Sequence, residues 1–535
     1  MLLSTSTRRI ALAIGFLGLA LAATQVAAAA APATGPATLV QLTPAADRTE
    51  AVALTRAGAN RVDAVLRLWR LEPSLATRAL PTLRAHHALV FAQKERTYTV
   101  ATTADTTTPD PLQPGEWWLS QIGVSGLTPP GPGVPVTIVD SGLDVGHAEF
   151  LGRPDTITLN PQEPAPLGGE HGTMVASVIA APTNGVGVVG IYPRAILRSW
   201  DAAKGDGTQL ESSEIAGGIL AAARAGRSVI NLSLGSDASD LSIDLAVSEA
   251  VASGSLVVAA SGNDGDRGSP LGYPAAYPHV TTVAATDSRG AITSFSSRSN
   301  YVDLSAPGAD IVVASALGND WRPESGTSFS SPMVAAAAAW VWTARPDLNA
   351  GQVAEILRRS ATDIAPVGRD SSSGFGMLNV AAALALPTPV RDLYEPNDDI
   401  DEVDPNANDY LSKQPALTTA TKRSSRVAGR IDRYEDPQDV YRVWLPARAR
   451  VTATLTASTD GDLALYSTAA RTVVGRFAKD GRLGLATTKG THERLVFANT
   501  GKGRWGYVVV KPGVRALDAS YSLAMVSAKI PAAAR

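Results

Sequence analysis

Between about residues 134 and 385 short apolar runs alternate with helix-patterned segments. The runs include Val136-Thr137-Ile138-Val139, Val229-Ile230-Asn231-Leu232, Leu256-Val257-Val258-Ala259 and Val280–Val283. The helical patterns fall at Gly172–Ala181, Gln209–Ala225, Ser239–Ser253 and Ser330–Thr343. Runs so short and so little alternated with polar residues bury both faces, and the intervening helices can cover them. The alternation predicts a mostly parallel sheet between two helical layers. Functional groups in such sheets gather at the C-terminal ends of the strands. The last helix is preceded by the polar turn Ser325-Gly326-Thr327-Ser328-Phe329-Ser330-Ser331-Pro332 and is itself rich in alanine. Small side chains permit close packing. Ser328 falls at the helix N-terminus, where free N–H groups and the positive dipole end favour an oxyanion. A plain N-cap is the other use of serine there.

The flanking segments differ in texture. At 535 residues the chain has room for two or three units. Arg8 and Arg9 precede the apolar run Ile10–Ala23, with small residues through Ala31. This is the layout of an export signal and is short for a membrane span. Residues 1–31 are therefore expected to be removed. The mature chain is expected to be secreted, extracellular or periplasmic, with no membrane anchor. Residues 32–105 read as a small domain followed by a linker. Val62, Val65, Leu66, Leu68 and Leu71 carry helical patterning, Ala88–Phe91 is strand-like, and Thr99–Pro114 is rich in Thr and Pro, as an exposed linker would be. Such a unit in an exported chain suggests a propeptide, with a permanent accessory domain as the alternative. The α/β unit is placed at 106–388.

Next comes a boundary at 389–410, expected to be solvated, in which Asp392 to Asp409 holds eight carboxylates and no Lys or Arg. Regular short strands over 411–528 then predict a β-sandwich, and 529–535 is a tail. The net charge is −3 and no basic stripe stands out, so no nucleic-acid partner is expected. The absence of cysteine excludes a thiolate nucleophile, thiolate metal ligands and disulfides.

Three stretches upstream of Ser328 look unlike ordinary core. Val136–Val139 ends in Asp140-Ser141-Gly142, and a buried carboxylate there must be paired or hydrogen-bonded. His171 opens an apolar helix after Gly168-Gly169. Val257–Ala260 ends in Ser261-Gly262-Asn263. Each has a structural alternative: a turn aspartate, a core histidine, a turn asparagine. Together, Asp140, His171 and Ser328 lie at strand ends or helix starts in the order Asp, His, Ser, which is that of subtilisin.

The motifs around these residues resemble those of the subtilisin-like serine proteases, the subtilases. They are Asp140-Ser141-Gly142, His171-Gly172-Thr173, Gly326-Thr327-Ser328 and Ser331-Pro332, with Asn231-Leu232-Ser233-Leu234-Gly235, Ser261-Gly262-Asn263, Ala306-Pro307-Gly308 and Gly374–Asn379. Phe329-Ser330-Ser331 stands where the family most often has Met-Ala-Ala. The resemblance implies a three-layer α/β domain with a mostly parallel central sheet, preceded by a small α+β propeptide. It implies a serine endopeptidase made as a self-processed zymogen, with Asp140, His171 and Ser328 as the triad and Asn263 in the oxyanion hole. Ser233, Leu234 and Gly235 would pair with an extended peptide. Ala260, Ser261 and Gly262 would form the other wall of the main pocket, and Gly272 its floor. Partners would be protein and peptide substrates and the chain's own propeptide as intramolecular inhibitor, with the enzyme a monomer. No cofactor is required for the chemistry. A structural calcium ion could sit on Glu149 and Asn184 with carbonyls of Val186 and Val188, plain loop structure being the alternative. The last segment resembles the bacterial pre-peptidase C-terminal domain in Tyr394–Asp398 and Gly461–Tyr466. The rivals are a catalytically silent binding protein on the same scaffold and a peptide-joining transferase.

Overall fold

The computed structural model describes residues 35–100, 103–104, 115–162, 170–204, 209–316, 320–364, 366–406, 414–434, 436–474, 479–514 and 516–530. The expected export signal lies outside them. Of the described residues, those up to Glu95 form one compact unit and those from Arg96 onward a second.

The first unit runs strand, helix, strand, strand, helix, strand. Its antiparallel sheet has the order Asn60–Asp63, Leu68–Leu71, Thr38–Leu42, Leu89–Lys94. The helices Pro44–Arg56 and Pro73–Ala85 both begin with proline, whose fixed φ suits a first helical turn. Val40, Leu42, Leu54, Trp69, Leu75 and Leu83 make the core.

The second unit contains a seven-stranded sheet in the order Val302–Pro307, Val280–Thr286, Leu256–Ala260, Val229–Leu232, Val136–Asp140, Leu197–Asp201, Thr156–Thr158. Every neighbouring pair is parallel. From Val136–Asp140 the chain first builds outward on one side and then crosses to Val229–Leu232 on the other. The topological switch therefore lies at the C-terminal end of Val136–Asp140, where such folds open a crevice. The helix Thr327–Ala344 is buried along nearly its whole length, and its alanine row, Ala335–Ala339, lets it lie close to the sheet.

Beyond the α/β unit, two four-stranded antiparallel sheets face each other around Val443, Leu455, Leu465, Val508, Leu523 and their neighbours. Three expectations need correction. The apolar spacing from Val62 to Leu71 makes no helix: Val62 lies in the strand Asn60–Asp63, and Leu68 and Leu71 in the strand Leu68–Leu71 that pairs with it. The acidic boundary is not fully solvated: Asn397, Asp398 and Asp404 are buried, and Ile400 and Val403 pack on Val440, Ala464 and Tyr507 of the sandwich. Its apolar residues bury it, and charge counting missed them. Nor is the start of the Thr99–Pro114 stretch a free linker. Thr97–Val100 and Thr103–Ala104 are strands, each paired to the α/β unit. Residues 105–114 lie outside the described residues.

Candidate active site

Asp140 ends its strand fully buried, and His171 is the first residue of the helix His171–Ala180. His171 Nδ1 lies 2.8 and 3.0 Å from the two Asp140 carboxylate oxygens. The Ser141 N–H also donates to Asp140 Oδ1, at 2.7 Å, so the buried carboxylate is well satisfied. A carboxylate can only accept, so Nδ1 carries the hydrogen and Nε2 the lone pair. Among the described residues nothing hydrogen-bonds the buried Nε2. Close approach explains Gly172: a Cβ there would stand 2.0 Å from the Gly142 carbonyl oxygen. Only glycine lets the His171 helix abut the turn that follows Asp140.

Ser328 is the second residue of its helix and fully buried. The His171 ring lies beside that of the next residue, Phe329, with centroids 6.0 Å apart. The Ser328 hydroxyl donates to the Ser233 carbonyl at 3.3 Å, and the Ser233 hydroxyl returns a bond to the Ser328 carbonyl at 2.8 Å. Asn231 donates to the Ser233 hydroxyl at 2.9 Å and accepts from Ser331 at 2.7 Å. This relay ties the Ser328 helix to the strand end at Leu232. The role of Asn231 was not read from the sequence. The available signal was a polar residue inside an apolar run, which must find a partner. Asn263 Oδ1 accepts from both the N–H and the hydroxyl of Thr327, each at 2.9 Å. With its oxygen so engaged, the amide offers its NH2 to any further group.

The two walls expected of a peptide cleft come together. Leu234–Gly235 pairs antiparallel with Thr97–Val100, with Leu234 opposite Val100 and Gly235 opposite Thr99. The other edge of Thr97–Val100 pairs with Gln209–Glu211. Further on, Thr103 lies opposite Ser325, and Ala104 opposite Glu324. Ala260, Ser261 and Gly262 continue the strand that leads to Asn263. Gly272 reaches this wall, since a Cβ there would sit 3.5 Å from the Ser261 carbonyl oxygen. Tyr273 bridges back to Ser236 through bonds of 2.9 and 2.8 Å.

The family model of the subtilases matches residues 131–376. Subtilisin BL of Lederbergia lenta is 38% identical over 280 residues, which are 50% of this chain and 97% of that protein. The chain belongs to the subtilase family. Subtilisin E of Bacillus subtilis is 37% identical over 257 residues, 47% of this subtilase and 66% of the relative. The chain thus spans just under two thirds of subtilisin E. Among solved structures, fervidolysin of Fervidobacterium pennivorans, a keratinolytic enzyme related to subtilisin, aligns with a TM-score of 0.56 at 18% identity. That alignment covers 87% of this chain and 85% of fervidolysin and shows the fold.

The two metal candidates of this subtilase meet only loosely. Asn184 donates to the Glu149 backbone carbonyl at 3.4 Å, and its own oxygen accepts from the Val186 N–H. Glu149 Oε2 accepts from the N–H groups of Val188 and of the Trp321 ring, whereas Oε1 is buried and without a partner among the described residues. Burial first, then repulsion from Glu116, raises the Glu149 carboxyl to about 7, against the pull of those two N–H bonds. Glu116 belongs to the same loop system, accepting from the Val189 N–H at 2.9 Å. A second group, Asp392, Glu395 and Asp439, brings carboxylate oxygens within 4.8 Å of one another. Burial and mutual repulsion hold Glu395 and Asp439 far above the usual carboxylate range.

Proposed function

We propose that this chain is a subtilisin-like serine endopeptidase, exported and made as a zymogen that cuts itself. The carrying observation is the Asp140–His171 pair, with the His171 ring beside Phe329, the residue after Ser328 at the start of a buried helix. Asp140 keeps the hydrogen on Nδ1, so Nε2 can take the proton of the Ser328 hydroxyl once that hydroxyl turns from the Ser233 carbonyl. The serine oxygen attacks the peptide carbonyl, and the imidazolium returns the proton to the leaving amine. Water then cleaves the acyl-enzyme by the same steps in reverse roles. Asn263 would donate its NH2 to the developing oxyanion, beside the N–H of Ser328. These steps need no cofactor.

Substrate would lie as a strand between Leu234–Gly235 and Gln209–Glu211, the place that Thr97–Val100 takes. Ala260–Gly262 and Gly272 would receive the side chain before the cut. Thr97–Val100 pairs with Leu234–Gly235 and Thr103–Ala104 with Glu324–Ser325, the strand that leads to Ser328, which supports the chain's own segment as first substrate and then inhibitor. The self-processed bond would fall between Val100 and Thr103, slightly ahead of the expected 105/106 boundary. Glu149 and Glu116, with Asn184, fit a hard cation such as calcium, which would neutralise the orphaned Oε1 and lock the loop. Asp392, Glu395 and Asp439 have the donor chemistry for a second. The sandwich is read as of pre-peptidase C-terminal type on its two motifs. No helix among the described residues is long and apolar enough to cross a membrane.

Labelling with a serine-directed fluorophosphonate, followed by mapping of the adduct, tests the assignment. Modification is expected at Ser328 and lost in His171→Ala. Casein hydrolysis by folded Ser328→Ala would overturn it.

A further inference from the structure

A cluster of charged groups beside the active site takes no part in the triad chemistry. Glu170, the residue before His171, does not use its side chain to cap its helix. It turns instead toward the hairpin formed by Ile311–Ser315 and Asp320–Ser325. Its Oε1 accepts from Arg322 Nη2 at 2.6 Å, and its Oε2 accepts from the Ser315 hydroxyl. The same guanidinium donates through Nε to Glu324 Oε1 at 2.7 Å. Glu324 is almost wholly buried and lies four residues before Ser328 on the strand that leads into its helix.

We infer that Arg322 is a positioning residue, clamping the helix that starts with His171 to the strand that delivers Ser328. The inference rests on Asp140, His171 and Ser328 acting as the triad. Stability alone is a poor reason for the cluster. Burying two carboxylates around one guanidinium costs desolvation that packed apolar side chains would avoid. What the planar fork supplies is geometry: two N–H groups in fixed directions hold two carboxylates on two different elements. The far side of the strand is anchored separately, by Trp321 on Glu149 at 2.8 Å and edge-on to His147. Removing the guanidinium therefore frees the His171 end while the strand keeps its other anchor. Small misplacements of a reacting pair lower rates steeply.

The test is the rate of Ser328 labelling by a small fluorophosphonate, which needs the triad and no peptide contacts. It is measured for the full chain, for Arg322→Gln and for Arg322→Lys, alongside kcat and KM on a peptide p-nitroanilide. Such a substrate has no residues beyond the cut and cannot touch Glu324–Ser325. Arg322→Gln should label about tenfold more slowly, with kcat reduced in step and KM within twofold. Arg322→Lys, whose ammonium reaches one carboxylate and not both, should fall between. If Arg322→Gln does not fold, slowed labelling of Arg322→Lys carries the inference, and labelling at the unsubstituted rate overturns it. Labelling at the unsubstituted rate in folded Arg322→Gln, with only a lower Tm, also overturns it, since the clamp would then be structural. An effect confined to KM on longer peptides does the same. Failure of the unsubstituted chain to label at Ser328 sinks the triad reading itself, which separates the two failures.

Discussion

Glu149→Gln isolates one buried carboxyl whose ionisation opposes folding. Burial raises it from 4.5 to about 7, so over that range the folded chain holds the proton more tightly than the unfolded one. Stability must then fall as pH rises from about 5 to 8, because the folded state is the one that binds the extra proton. A rise of about 2.5, at 1.36 kcal/mol per pH unit, gives roughly 3 kcal/mol by pH 8 when no cation is present. Glutamine keeps an oxygen to accept from Val188 and Trp321 and never ionises. The assay is denaturant unfolding in chelator at pH 5 and pH 8, on a Ser328→Ala background so that the chain cannot digest itself. The Glu149 protein should lose roughly 3 kcal/mol more than Glu149→Gln across that interval. Other buried carboxyls titrate in both proteins and cancel in the difference. Calcium at pH 8 should stabilise the Glu149 protein more than Glu149→Gln, since any gain from the carboxylates of Asp392, Glu395 and Asp439 is common to both. Equal losses in the two proteins would refute the burial argument, and equal rescue would remove Glu149 from the cation site.

Three further outcomes are expected. Asn263→Ala should lower kcat about 10²- to 10³-fold with KM nearly unchanged, because the oxyanion exists only near the transition state; a change confined to KM would contradict that role. Gly172→Ala, whose new Cβ would meet the Gly142 carbonyl oxygen at 2.0 Å, must push the His171 helix from Asp140. Its kcat/KM should drop at least about tenfold, and an unchanged value would show that the turn yields freely. Ser328→Ala should accumulate with residues 32–98 attached, while active protein begins between Ala101 and Thr103. N-terminal sequencing decides this, and maturation of Ser328→Ala to the same start in a protease-free host would exclude self-cleavage.

The sheet and the candidate triad were legible because their signals are local. Val136–Val139 and Val257–Ala260 read as buried strands from consecutive residues. Asp140, His171 and Asn263 declare themselves by where those strands and the His171 helix begin or end. Motifs such as Gly326-Thr327-Ser328 keep their meaning without knowledge of distant neighbours. The acidic stretch was misread for the opposite reason. Whether Asn397 or Asp398 is solvated depends on the sandwich strands that close over it, and charge density does not report that.

What the sequence by itself determined was the layered architecture and the candidates for the reacting groups, since periodicity and local motifs depend only on residues near one another. Tertiary structure alone decided how those groups are held. Asn231 reaches Ser331, Gly172 meets Gly142, and Arg322, already bonded to Glu324, reaches Glu170 across 152 residues of chain. It also decided that Thr97–Val100 adds a strand to the cleft, where composition suggested a loose connection. A strand's unpaired N–H and C=O groups take whatever edge lies within reach, and only the folded chain fixes which edge that is.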